Sequence, residues 1–476
     1  MRLLGFALLA LAGCARPEPQ ASRREPGSCE ARARVTSERP LTLDVEMRCR
    51  GRELTGFRAA EAQTAPHVST SLRRDGARFT LPSPTRDALV RYRVNLDAVA
   101  REAESFDVAL RSGATLVAPV STWLLHPEPL EVDVPVRLRV ETPPGFRFET
   151  GLGTRAGAYA LEAHEIPVGT YAVFGGFESQ RVVLGDSSVQ VAFADGALDT
   201  PKQELATWIG DSARAVGDFF RRFPVPRVHV TVIPVPGREG VLFGKVLPES
   251  APGVVLLVGE HTKREKLYQD WILVHELFHL GVPSFSGEGK WFDEGLATYY
   301  EPIIRARAGW RSEQSVWDEF HRAMPLGLDV LRTRGLERGE SFRDVYWGGA
   351  VVVMLADVEV RKRSGGERGL EDGLRGVLAA GGHASEVWPL GRTLALADES
   401  SGVEALQPLA KAHAHRAKPV DLDAVWRELG VEARPDGVRL NGGAPLAAVR
   451  SAILRGGLST SSKLGSAPKS RPMPAM

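Results

Sequence analysis

Short runs of alternating apolar and polar residues fill the first part of the chain. Residues 132–140 (VDVPVRLRV) alternate partly with a period of two, as a half-buried strand does. Similar runs, separated by Gly and Pro, occur at residues 30–35, 41–47, 91–96 and 171–174. This pattern predicts an all-β domain over residues 28–185, with its sheets arranged like a sandwich.

The pattern changes after Gly185, where strand-like runs begin to alternate with longer helical ones. Strands are predicted at residues 188–194, 227–232 and 254–258, and helices at 200–223, 263–280, 291–308 and 349–363. The fold class is therefore α+β. We predict a mixed α/β domain over 186–330, a helical region over 331–457 and a disordered Ser/Lys/Pro-rich tail over 458–476.

Residues 1–14 have the pattern of an export signal. Arg2 is followed by a short apolar run that ends in Leu-Ala-Gly before Cys14, which resembles a bacterial lipobox. We therefore expect Cys14 to be lipidated, residues 15–27 to be a tether, and the chain to be anchored in a bacterial cell envelope, facing the periplasm or exterior. The alternative is a plain secretory signal. No other segment approaches 18 uninterrupted apolar residues.

Two further cysteines flank a pair of predicted strands. Cys29 and Cys49 lie symmetrically about a turn near Arg39-Pro40, so a hairpin would place them side by side. In an oxidising compartment this arrangement predicts a disulfide.

The charge of the chain is nearly balanced. Among its 476 residues, 60 Lys and Arg oppose 59 Asp and Glu. Nothing in this balance indicates electrostatic capture of nucleic acid.

The sharpest chemical signal is the sequence His275-Glu276-Leu277-Phe278-His279. Residues at i and i+4 share one face of a helix, so both imidazoles can bind one metal ion. Glu276 is then placed to take a proton from a metal-bound water. The alternative, two solvated histidines on a surface helix, is disfavoured by the apolar residues on both sides of the motif.

A catalytic zinc site usually has three protein ligands and one water. The segment 291–301 (WFDEGLATYYE) offers Glu294, with 14 residues between it and His279. This segment resembles the third-ligand helix of the gluzincin metallopeptidases, which include the aminopeptidase N family. The resemblance implies a thermolysin-like catalytic domain, Glu294 as the third zinc ligand, and Glu301 as a carboxylate that orients a ligating histidine. The alternative is that both are solvated helix carboxylates.

Two later segments extend this resemblance. Residues 345–350 (VYWGGA) look like the family's Tyr-x-x-Gly-Ala pattern, which implies that Tyr346 stabilises an oxyanion. An ordinary packed tyrosine is the alternative. Residues 355–375 are similar to a helix and a following segment of the glycyl aminopeptidase family, whose members also carry a β-rich N-terminal domain.

These observations predict a zinc metallopeptidase with one Zn²⁺ per chain, held by His275, His279 and Glu294. Glu276 is the expected general base, and peptides or proteins are the expected substrates. A zinc hydrolase of another bond and a catalytically silent peptide-binding lipoprotein are the alternatives. Residues 236–244 (PGREGVLFG) do not show the family's amine-binding motif, so aminopeptidase and endopeptidase activity both stay open, as does the oligomeric state.

Overall fold

The computed structural model describes residues 27–103, 105–248 and 251–455. Within these ranges the chain forms a β-rich N-terminal domain, followed by a mixed sheet and many helices. The predicted signal segment with Cys14, nearly all of the tether, and the tail over 458–476 lie outside the described residues.

In the described part of the N-terminal domain there are thirteen strands and two short α-helices. The strands are β1 (Ser28–Glu38), β2 (Leu41–Arg58), β3 (Val68–Thr70), β4 (Arg73–Asp75), β5 (Arg78–Asn95), β6 (Leu110–Ser112), β7 (Thr115–Pro119), β8 (His126–Glu128), β9 (Pro135–Glu141), β10 (Arg147–Thr150), β11 (Gly153–Arg155), β12 (Ala158–Glu162) and β13 (Tyr171–Gly175). The helices are α1 (Leu96–Ala103) and α2 (Val120–Trp123).

These strands make two sheets that share one hydrophobic core. The nine-stranded sheet has the order β11-β12-β9-β1-β2-β5-β3, with β4 on β5 and β8 on β2, and the four-stranded sheet has the order β10-β13-β7-β6. Leu43 and Val45 of the first sheet pack in the same core as Leu116 and Phe174 of the second. The predicted sandwich-like all-β domain is thus confirmed.

The predicted hairpin is formed by β1 and β2, which pair in antiparallel register. Cys29 lies directly opposite Cys49, and their sulfur atoms are bonded. Every second residue of β1 from Cys29 to Val35 is buried, as expected for a strand with one face on the core.

The second part of the chain contains the remaining elements. Its strands are β14 (Glu178–Leu184), β15 (Ser187–Phe193), β16 (Arg227–Val235), β17 (Val241–Leu247), β18 (Gly253–Gly259), β19 (Ser284–Phe285), β20 (Val387–Trp388), β21 (Val431–Arg434) and β22 (Gly437–Leu440). Its helices are α3 (Lys202–Phe220), α4 (Arg264–Gln269), α5 (Ile272–His279), α6 (Lys290–Arg307), α7 (Glu313–Ala323), α8 (Leu328–Thr333), α9 (Gly348–Arg363), α10 (Leu370–Ala379), α11 (Leu390–Ser401), α12 (Leu406–His413), α13 (Leu422–Leu429) and α14 (Ala447–Arg455).

A five-stranded mixed sheet lies beside the helices, in the order β14-β15-β16-β18-β17. Strands β15, β16 and β18 are parallel, whereas the edge strand β17 runs antiparallel to β18. Because β14 pairs with β15, this sheet begins at Glu178, before the predicted boundary at 186.

The predicted division at residue 330 does not separate two cores. One hydrophobic cluster includes Leu273 and Leu296 on one side of that position and Val352 and Ile453 on the other. The α/β part and the helical region therefore share one hydrophobic core.

The two parts of the molecule touch beside the edge strand β17. The rings of Phe106 and Phe243 lie 4.8 Å apart, and Lys245 Nζ lies 2.6 Å from Asp107 Oδ1. The N-terminal domain thus supports one side of β17. None of the helices in the described ranges has the length and apolarity needed to cross a membrane.

Candidate metal centre

Helix α5, which carries the histidine motif, begins directly after a break in the helical pattern. The predicted helix over 263–280 is interrupted at Asp270, whose carboxylate accepts a hydrogen bond from the backbone N–H of Ile272 at 2.8 Å. This capping contact satisfies one of the free N–H groups at the start of α5. Arg305 Nη1 also donates to the carbonyl of Gln269 at 2.9 Å. Helix α6 is thereby tied to the residue before the break.

His275, His279 and Glu294 converge on one point between α5 and α6. Glu294 Oε2 lies 3.2 Å from His275 Nε2 and 3.6 Å from His279 Nε2. One ligand atom from each of the three residues lies within 4.8 Å of the others. Donors bound at about 2.0–2.1 Å to a tetrahedral zinc ion are separated by roughly 3.3 Å, so this arrangement fits zinc.

Asp293 contacts His279 at the ring nitrogen that faces away from Glu294. His279 Nδ1 lies 2.8 Å from Asp293 Oδ1, which leaves Nε2 directed at Glu294. A carboxylate bonded to the outer nitrogen of a ligating histidine fixes the orientation of the ring and raises its basicity. Within the described ranges the outer nitrogen of His275, Nδ1, is buried without a hydrogen-bond partner.

The electrostatics of the site favour a cation. Burial raises the pKa of Glu294, but the adjacent His275 and His279 together outweigh burial and hold this pKa below its usual value. Burial lowers the pKa of His279, yet Asp293 and Glu294 outweigh it and raise that pKa well above the ordinary value. The two carboxylates thus stabilise positive charge where the ligand atoms meet.

Glu276 stands at the wall formed by β17. Its Oε2 accepts a hydrogen bond from the backbone N–H of Val246 at 2.9 Å, which fixes the carboxylate. Gly244 permits this close contact, because a Cβ there would lie 2.4 Å from Ile272 Cγ2 and 3.1 Å from Glu276 Cγ. The general base predicted from the sequence therefore lies between the helix and the edge strand.

Tyr346 enters the site from a short π-helical segment, Arg343–Trp347. Its ring stacks on that of His275, with centroids 5.5 Å apart and planes 2° from parallel. Burial, followed by the negative charges of Glu294 and Glu276, raises the pKa of Tyr346. The phenol therefore keeps its proton and can donate a hydrogen bond.

Two glycines allow α6, which carries Glu294, to pack closely on α9, which begins two residues after Tyr346. A Cβ on Gly295 would lie 2.5 Å from the carbonyl carbon of Gly349, and a Cβ on Gly349 would lie 2.0 Å from the carbonyl oxygen of Trp291. Larger residues at either position would push α6 and α9 apart. The Gly next to Glu294 and the second Gly after Tyr346 thus bring both groups to one cleft.

The converging side chains line a cleft of about 530 Å³. Its walls include the three candidate metal ligands, Glu276, Tyr346 and a stretch of β17. Glu239, the only carboxylate in the segment 236–244, is exposed and is not among the lining residues.

Glu301 does not have the role expected from the sequence. It is buried, with 4% of its surface exposed, and its Oε2 accepts a hydrogen bond from Arg305 Nε at 2.8 Å. The outer nitrogen of His279 is bonded to Asp293 instead. Seven residues carry Glu301 two turns beyond Glu294, where it supports the Arg305 contact at the start of α5.

Sequence reasoning missed Asp293 and Val246. Asp293 directly precedes Glu294, so a polar residue beside a metal ligand was an available signal. Val246 contributes a backbone N–H, which no side-chain pattern reveals.

Comparison with known proteins finds solved structures of similar fold. No protein-family model matches the chain, and no curated protein matches it. Solved structures do match. An aminopeptidase N family protein from Idiomarina loihiensis has a TM-score of 0.64 and 13% identity, over 85% of this chain and 78% of that one.

An M1 zinc metallopeptidase mutant from Deinococcus radiodurans, solved with a Tyr-Ser-Ala substrate, has a TM-score of 0.51 and 16% identity, over 83% of this chain and 94% of that one. A two-domain M1 zinc metallopeptidase mutant bound to L-tryptophan has a TM-score of 0.51 and 17% identity, over 83% and 96%. The chain therefore has the fold of the M1 zinc metallopeptidases. The predicted α+β class and the resemblance in fold to aminopeptidase N are confirmed.

Proposed function

We propose that this protein is a zinc metallopeptidase that hydrolyses peptide bonds and binds one Zn²⁺ per chain. The observation that carries the proposal is the position of Glu294 Oε2, 3.2 Å and 3.6 Å from the Nε2 atoms of two buried histidines. A carboxylate oxygen and two imidazole nitrogens are the ligand set of several zinc peptidases. The shared fold of zinc metallopeptidases supports the same conclusion.

A bound zinc ion would act as a Lewis acid that lowers the pKa of water and polarises a carbonyl. The chain supplies the proton transfers. Glu276 accepts the proton released when water oxygen bonds to the peptide carbonyl carbon. It then delivers that proton to the nitrogen whose bond to carbon breaks. Because Val246 N–H holds one oxygen of Glu276, the carboxylate is oriented before substrate arrives.

Tyr346 stabilises the charge that develops during the reaction. Its phenol keeps its proton, and its ring is fixed against His275. A donor fixed before the reaction stabilises the new negative charge on the carbonyl oxygen without reorganising.

The cleft suits an extended peptide. Strand β17 is the edge of its sheet and forms part of the cleft wall, so its outward backbone groups can pair with a substrate strand. The similar metallopeptidase from Deinococcus radiodurans has been solved with a short peptide substrate. Comparing free and N-acetylated peptides distinguishes aminopeptidase from endopeptidase activity.

The test is metal content by mass spectrometry, together with hydrolysis of a peptide library. We expect about one zinc per chain, and loss of hydrolysis in Glu276→Gln with zinc retained. Glu265→Gln is the control, because Glu265 is exposed on α4. Zinc-loaded protein that cleaves no peptide would contradict the proposal and favour hydrolysis of another bond or a binding role.

We further propose that Cys14 anchors the protein in a bacterial cell envelope. The Leu-Ala-Gly-Cys sequence at residues 11–14 and the Cys29–Cys49 disulfide, typical of an oxidising compartment, support this location. In a bacterial host we expect the wild type in the membrane fraction and Cys14→Ser in the soluble fraction. Equal partitioning of the two would contradict the proposed anchor.

A further inference from the structure

Among the described residues, few Phe and Trp side chains are exposed, and those that are lie at one place. Within the described ranges, the exposed Phe and Trp residues are Phe243 at 39%, Trp271 at 40% and Phe342 at 53%. All three line the metal cleft, and so does the exposed Leu242. The other large exposed apolar residues of the described chain are aliphatic and lie outside the cleft: Leu130, Val132, Val168, Val183, Leu326 and Val387.

The four apolar cleft residues come from three separate segments of the chain. Leu242 and Phe243 belong to β17, Trp271 directly precedes α5, and Phe342 directly precedes the π-helical segment. No single amphipathic face accounts for them, because they are far apart in sequence. Only the cleft brings them together.

Two of these residues contact the chemical groups themselves. The Trp271 ring lies edge-on to the His275 ring, with centroids 5.3 Å apart, and Phe342 stacks on Tyr346 at 4.0 Å. Apolar surface therefore begins directly beside the proposed reaction point. Contiguous exposed apolar surface in a concave site is typical of ligand binding.

The cleft offers few free partners for a charged side chain of a substrate. The described carboxylates and the lysine of the cleft already have protein partners: Glu276 is bonded to Val246, Asp293 to His279, Glu294 to His275 and Lys245 to Asp107. Desolvating a charged substrate side chain without a free partner is unfavourable, whereas burying an apolar one is favourable.

We propose that this cleft selects peptide segments with large aromatic or branched aliphatic side chains next to the scissile bond. Leu242, Phe243, Trp271 and Phe342 would cover those side chains. A peptide is the occupant we infer, since the apolar groups surround the proposed catalytic groups within a concave cleft. The inference rests on the proposed peptidase function and adds the class of residue that it recognises.

The test uses a matched series of peptides that differ only at the residues flanking the cleaved bond, with Phe, Leu, Ala, Ser or Glu. For wild-type zinc-loaded protein we expect kcat/KM for Phe and Leu to exceed that for Ser and Glu by about tenfold or more. Leu242→Ala and Phe243→Ala should each reduce this preference severalfold. Val183→Ala, with an exposed valine on β14, is the matched control and should leave the preference unchanged.

A binding measurement separates recognition from chemistry. In the Glu276→Gln background, calorimetry should show tighter binding of the Phe peptide than of the Ser peptide, and Leu242→Ala should weaken it. Phe243 also contacts Phe106, so Leu242 provides the variant with no aromatic partner to lose.

The two failures are distinguishable. If no peptide is hydrolysed, the proposed function is wrong. The other failure is hydrolysis of peptides without apolar preference, or with a preference that neither cleft variant alters. Either result would support the proposed peptidase function and contradict this inference.

Discussion

Asp293 and Glu294, which are consecutive on α6, lie beside the two ring nitrogens of His279. Asp293 Oδ1 lies 2.8 Å from His279 Nδ1, and Glu294 Oε2 lies 3.6 Å from His279 Nε2. This arrangement places the proton of a neutral ring on Nδ1 and leaves the lone pair of Nε2 for a metal. Helix α6 thus provides both the proposed ligand Glu294 and the carboxylate that orients His279.

Replacing Asp293 should weaken zinc binding without abolishing it. In Asp293→Ala the His279 ring loses its oriented partner, and we expect a 10–100-fold loss of zinc affinity, roughly the effect seen for such carboxylates. Competition with a fluorescent chelator measures this. Asp186→Ala, at an exposed turn, is the control. Unchanged affinity in Asp293→Ala would show that His279 needs no such support.

Replacing a ligand should remove the metal itself. We expect His275→Ala and Glu294→Ala to contain far less than one zinc per chain after dialysis and to lack activity, because two donors hold zinc poorly. His261→Ala changes an exposed histidine outside the cleft and serves as the control. Elemental analysis measures the zinc content. Full zinc occupancy in Glu294→Ala would show that another residue is the third ligand.

Tyr346→Phe should lower kcat by about a hundredfold, with zinc content and KM little changed, because it removes a donor that acts in the transition state. Steady-state kinetics on a good peptide substrate measures this. Tyr159→Phe, in the N-terminal domain, is the matched control. A change confined to KM would indicate that Tyr346 only binds substrate.

Gly349→Ala should destabilise the fold and lower activity together. Its Cβ would lie 2.0 Å from the carbonyl oxygen of Trp291, and forced overpacking costs about 1–3 kcal/mol. Gly391→Ala, on α11 with no atom within 4 Å of the added Cβ, should be neutral or slightly stabilising. Urea unfolding of both variants tests this, and equal stabilities would rule out the proposed close contact.

Glu301 should make stability depend on pH. Burial raises the pKa of Glu301 to about 7 from 4.5, although Arg305 opposes the shift. Between those values the unfolded chain has lost the proton while the folded chain keeps it, so the free energy of unfolding falls as pH rises. The stability difference between wild type and Glu301→Gln should therefore change across pH 4.5–7 and level off above. A difference that is constant over this range would contradict the raised pKa.

The parts of the site set by local geometry were predictable from the sequence. His275 and His279 share a helix face because of the 3.6-residue period, and the structure confirms that they meet. Glu294 and Tyr346 came only from family resemblance, since nothing local says where a residue on another helix will return. The Cys29–Cys49 pairing followed from the symmetry of a hairpin.

What the sequence did not predict depends on tertiary contacts. The break at Asp270 divides a continuous helical pattern, and the Asp270 carboxylate accepts a hydrogen bond from the first N–H group of the next helix. Strand β17 has no clear alternation, and its importance lies in its edge position and a backbone N–H. Glu301 fits a family pattern, but its neighbour Arg305 decides its actual partner.

The contact of Phe106 and Asp107 with β17 has an evolutionary consequence. Because these contacts hold the strand that lines the cleft, we expect loss or exchange of the N-terminal domain to disturb that strand. The two halves of this chain should therefore be inherited together, and truncated homologues that lack the first half should have rebuilt that strand's outer flank.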